Sequence, residues 1–235
     1  MGRIDWFFEH EANFFETRLH RLVVEIYRLA KEQLDLVYEK ELDELKRDPT
    51  LSEDPDAQYG YANYLKGERL SQERALATMA LAMLGSLVDS FLDEARLRLD
   101  ATTFPVEGTY PGKSILLKRV SEYKERFGID LVGMEGFEGV REVVLARNSC
   151  IHNGGHPSTD YMEQSNQRLL EEVDLLRRFF HPTLGAEDRV INFNFQSLKE
   201  IVSEISKFAD SLHKSLNAVR LEKISRPPLS NGSSN

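Results

Sequence analysis

Arg147, Asn148 and His152 are the residues whose types and spacing suit chemistry on a phosphate. An RNA strand can be cut without a metal ion. The ribose 2′-hydroxyl attacks the adjacent phosphorus, the bond to the 5′-oxygen breaks, and a cyclic phosphate is left. The step needs a group that takes the hydroxyl proton near neutral pH, and fixed positive charge where negative charge builds on the phosphate. Histidine titrates in that range. Arginine supplies permanent charge and a rigid fork of donors. A helix C-terminus favours the imidazolium form, so the proton transfer performed by His152 stays open between base and acid.

One element must position these groups. Phe137, Val140, Val144 and Ile151 recur at spacings of three, four and seven, which marks one face of a helix from about Phe137. Asn153-Gly154-Gly155 supplies its stop. His152 then falls in the last turn. Asn148 and His152, four apart, share a face. Arg147 takes a place on the apolar stripe. Five residues of ideal helix separate Arg147 from His152, which is about 140° around the axis. One chain does not aim both at one point unless the helix unwinds at its end, whereas two chains could bring two motifs to one cleft.

Arg147-Asn148-Ser-Cys-Ile-His152 resembles the Arg-x4–6-His signature of HEPN domains, in which a polar residue, often Asn, follows the arginine. The resemblance covers about residues 67–181, with the motif after a long apolar helix and a shorter one, as in the family. It implies an all-α, antiparallel helical bundle. It also implies a metal-independent endoribonuclease acting on RNA, in some members a toxin with an antitoxin or regulatory protein. A homodimer with a composite cleft is implied too, in which Asn148 orients the phosphate or holds Arg147. No cofactor is expected. Candidate substrate-binding residues around this core are Lys113, Lys118, Arg119, Asn153 and His156.

Other patterns carry less. Gly108-Thr-Tyr-Pro-Gly112-Lys113-Ser114 is one residue short of a phosphate-binding P-loop and follows no buried strand, so it reads as a turn before a helix. Cys150 has no base three or four residues away and reads as a small buried residue. His152 and His156 are separated by glycines and have no acid at ligand spacing, so no metal site is expected.

Composition bounds the rest. The 235 residues are 41% hydrophobic and 29% charged, with one cysteine, which excludes an internal disulfide. No run of 18 apolar residues occurs, so no membrane span is expected, and the acidic N-terminal stretch does not read as a signal peptide. A cytoplasmic protein is expected. Net charge is −9, which counts against broad nucleic-acid binding. The charge is uneven: residues 39–58 are net −5 and residues 111–127 net +3.

The periodicities place a long helix over 4–47, striped by Phe8, Ala12, Phe15, Leu19, Leu22, Ile26 and Leu29, within an N-terminal region 1–48. Residues 49–67 read as an acidic loop carrying Tyr59, Tyr61 and Tyr64. Residues 68–182 are the HEPN-like bundle, with its most apolar helix at 68–100 and a short basic helix at 113–127. Residues 183–224 hold an extended, strand-like segment at 190–196 and a final helix packed on the bundle. Residues 225–235 read as a disordered tail. Two functions fit this organisation: the endoribonuclease, and a non-catalytic helical module that binds a nucleotide, RNA or a protein.

Overall fold

The computed structural model describes residues 13, 15–52, 54–101, 115–153 and 195–225, without the side chains of 51–52, 100–101, 149–150, 152–153 and 221–225. The fold class is all-α as expected, and among the described residues there is no strand. The helices are α1 (Ile26–Arg47), α2 (Pro55–Ala101), α3 (Ile115–Phe127), α4 (Phe137–Asn153) and α5 (Phe195–Ser225). A widened, π-helical stretch at Leu19–Glu25 leads into α1, and a single turn at Pro49–Ser52 follows it.

The widened stretch corrects the expected N-terminal stripe. Phe15 and Leu19 are buried as anticipated, but Leu22, Ile26 and Leu29 are exposed, and Val23, Val24 and Tyr27 are buried in their place. Bonding each residue to the fifth one on enlarges the turn. A run spaced by four, Phe15-Leu19-Val23-Tyr27, therefore stays on one face, where regular α-helix would have drifted off it.

The expected loop at 49–67 is corrected too, since α2 already begins at Pro55. Asp54 caps it: its Oδ1 accepts the N–H groups of Asp56 and Ala57, each at 3.1 Å. Pro55 takes the first helical position, where it forfeits no hydrogen bond. Gly60 and Gly67 face open space within the helix. Each costs roughly 1 kcal/mol relative to alanine, which is too little to stop a helix of this length. Tyr59, Tyr61 and Tyr64 thus stand exposed on a helix rather than in a loop.

By length and composition α2 is apolar enough to cross a membrane, with an 18-residue window of mean hydropathy 1.7, 44% of it buried inside the structure. The expectation of no such segment rested on unbroken apolar runs. A window average tolerates the Thr78, Gly85 and Ser86 that interrupt one. The core helix of a soluble protein passes the same test.

The chain forms two compact units. One comprises residues 1–17, 87–141 and 203–235, the other 18–86 and 142–202. In the first, Phe15 stacks on Phe91 with ring centroids 4.3 Å apart, and Phe137 meets Phe208 at 6.0 Å. Buried Tyr123 of α3 donates its hydroxyl hydrogen bond to the Leu92 carbonyl at 2.6 Å. In the second, Tyr27 lies parallel to Phe195 at 6.4 Å. Lys31 pairs there with Glu73, and Arg69 pairs with Asp35 at 2.6 Å while lying over the Tyr38 ring, joining α1 to α2. Leu198, Val202, Ile205, Phe208, Leu212 and Leu216 of α5 are buried, as their spacing predicted. The Phe195 end of the strand-like segment is the first residue of α5, and the rest of it lies outside the described residues.

Candidate functional site

The helix expected to carry the motif runs over Phe137–Asn153. Its start is fixed by Gly136, whose φ of +82° is costly for any residue with a side chain. A Cβ there would also overlap the Glu204 carbonyl oxygen and stand 2.8 Å from the Phe208 nitrogen. The chain can therefore turn against the backbone of α5 only as glycine. Phe137 donates its N–H to the Met134 carbonyl at 3.2 Å, and Glu138 places a negative charge in the first turn. Phe137, Val140, Val143, Val144 and Ala146 are buried, whereas Ile151, expected on the same stripe, is 52% exposed. The stripe ends sooner than its spacing suggested.

Arg147 follows Val140 by seven residues and Val143 by four, so it emerges on the buried face of α4. There it is half-buried. Its side chain lies across Gly85 of α2, within one compact unit. A Cβ on Gly85 would overlap the Arg147 Cδ, and would stand 3.3 Å from Nε and 3.4 Å from Nη1. Gly85 is itself buried. The sequence reading did not single out Gly85. A buried glycine inside an otherwise continuous apolar helix is the signal that could have found it, because it marks a close approach.

Asn148 is half-buried on the same helix. The α4 backbone stays helical through His152 and Asn153, so the end does not unwind before them. The Cα atoms of Arg147 and His152 are accordingly about 140° apart around the ideal helix axis. Lys113 and His156 lie outside the described residues, as do the near-miss P-loop and the segment from Gly154 to residue 194.

Lys118 and Arg119 belong to the other unit. Lys118 is exposed on α3. Arg119 is engaged internally: it pairs with Asp93, and with Glu122 at 2.9 Å. Glu122 also receives Arg126 at 2.9 Å and Arg96 at 3.8 Å. A buried carboxylate is stable only with its charge compensated, and three guanidinium groups do that here. Those two carboxylates hold the Arg119 guanidinium above its ordinary range, against the opposing pull of burial. The basic helix read from the sequence thus spends Arg119 and Arg126 on its own unit.

Among the described residues, no three His, Cys, Asp or Glu side chains gather as metal ligands do. The chain matches no known protein family, no curated protein and no solved structure.

Proposed function

We propose that this chain is a HEPN-like, metal-independent endoribonuclease, with Arg147, Asn148 and His152 as its catalytic set. The observation that carries the reading is Arg147 itself: a half-buried arginine on an apolar helix face, lying across a glycine, with Asn148 beside it. In the proposed reaction the 2′-hydroxyl loses its proton and attacks phosphorus. The 5′-oxygen leaves and takes up a proton, and a 2′,3′-cyclic phosphate remains. Arg147 stabilises the charge on the phosphate oxygens, His152 transfers a proton, and Asn148 orients the phosphate or Arg147.

The angular separation along α4 supports a two-chain arrangement, in which Arg147 of one copy and His152 of another serve one scissile phosphate. The chain then acts as a homodimer with a composite cleft, in the cytoplasm, and an antitoxin or regulatory protein is a fitting partner. Asn153 and His156 are the remaining candidates on this side of the chain for contacts along the RNA.

The test is incubation of the wild-type protein and His152→Ala with structured RNA in EDTA, with the product ends analysed. Cleavage by wild type that leaves cyclic phosphate, and a loss of at least 100-fold in the folded variant, is the expected result. Equal cleavage by the variant removes the site.

One observation favours a second reading. Arg96, Arg119 and Arg126 are consumed around Glu122 and Asp93, on a body of net charge −9, which removes three cations that an RNA strand would otherwise find. A non-catalytic module that binds a nucleotide or a protein at the Arg147 face fits that economy. Multiple-turnover cleavage by wild type excludes it.

A further inference from the structure

We infer that Gly85 is the positioning residue for Arg147: the missing side chain on α2 forms a notch that accepts the arginine stem and sets where its guanidinium stands. This goes beyond the proposed active site and rests on it only for the consequence to RNA cleavage. Both residues belong to one compact unit. The three nearest atoms to a Cβ on Gly85 are all from the Arg147 side chain, Cδ, Nε and Nη1, and none is from backbone or another residue. The atoms closest to the notch thus come from one side chain. Ala146, the neighbour of Arg147 on α4, is fully buried. Gly85 sits in the interior of a 47-residue helix, where alanine would be favoured by about 1 kcal/mol on propensity alone. The glycine is thus a local cost that an occupied notch explains.

The physical argument makes a prediction of opposite sign in two backgrounds. With Arg147 present, Gly85→Ala must push the stem aside, because interiors absorb an added methyl poorly. With Arg147→Ala, the space is open and alanine keeps only its helical advantage.

The experiment is a double-mutant cycle of Gly85→Ala and Arg147→Ala, read by thermal denaturation. Arginine modification by phenylglyoxal is followed in parallel, with the Arg147 peptide quantified by mass spectrometry. The expected result has two parts. Gly85→Ala lowers Tm by about 5 °C in the wild-type background and raises it by about 2 °C in the Arg147→Ala background. The folded single variant also exposes Arg147 to modification at least fivefold faster. Should Gly85→Ala fail to fold while the double variant folds, the coupling stands by rescue. Additive Tm changes, failure of both variants to fold, or an unchanged Arg147 modification rate in a folded Gly85→Ala protein each overturn the proposal.

The RNA assay separates this from the functional reading. Where wild type cleaves RNA, Gly85→Ala loses activity to the level of Arg147→Ala. Where wild type does not cleave, the nuclease reading fails and the stability cycle still decides the pairing.

Discussion

Tyr27 shows how much one residue reports about the packing around it. Its ring is buried against Phe195, and burial, with Glu73 adding to it, pushes the phenol from 10 up to about 12. A raised value in the folded state means that the neutral phenol is favoured there. The contribution is complete below pH 10 and is lost as the pH rises from 10 to about 12, because the unfolded chain ionises this group first. Tm should therefore fall across that interval. Tyr27→Phe, which cannot ionise, should fall less steeply over it. Tyr123, also pushed up by its burial, remains in the variant and keeps part of the slope. Parallel curves for wild type and Tyr27→Phe from pH 9 to 12 would show that Tyr27 carries none of it. The same residue scale holds the candidate site, and Arg147 was legible there as a charge on an apolar stripe. Its seat was not, because Gly85 is 62 residues away in sequence and periodicity reports faces, not which faces meet.

Elements were legible where their period was regular. The buried residues of α5 and the start of α4 at Phe137 follow from spacings of three and four. Two errors have physical causes. The π-helical stretch at Leu19–Glu25 keeps a four-residue stripe in phase, so a reading that assumes 3.6 residues per turn picks Leu22 and Ile26 instead of Val23 and Tyr27. At 55–67 Pro55, Gly60 and Gly67 punctuate the sequence as a loop does, although Asp54-Pro55-Asp56 is a helix start: cap, first-position proline and acid in the first turn. That correction is testable. Asp54→Ala removes the acceptor for two amides and should destabilise the N-terminal turns of α2 by about 1 kcal/mol. Hydrogen exchange should accelerate roughly fivefold at Asp56 and Ala57 and leave the buried Leu84 region unchanged. Unchanged exchange at those two amides would mean that Asp54 does not hold the helix start.

At the scale of the molecule, α2, α4 and α5 each contribute residues to both compact units. A pattern of apolar positions cannot reveal such a division, because every turn of these helices repeats the same signal. Charge is more legible, and it constrains the proposed activity. The molecule carries −9, and two arginines of the basic helix are spent, Arg119 on Asp93 and Glu122 and Arg126 on Glu122, as is Arg69 on Asp35 and Glu73. Under the proposed activity, an RNA strand on such a body would be held at a few phosphates near Arg147 rather than along a basic surface. For single strands the logarithm of affinity falls with the logarithm of salt at about 0.7 per phosphate neutralised, so two or three contacts give a slope of about −2. The slope of kcat/KM for cleavage between 50 and 300 mM salt should lie near that value. Arg147→Lys, which keeps the charge but loses the fork of donors, should preserve the slope while lowering the rate. A slope steeper than about −4 would require a basic surface outside the described residues to carry the RNA, and would move the binding determinants away from α4.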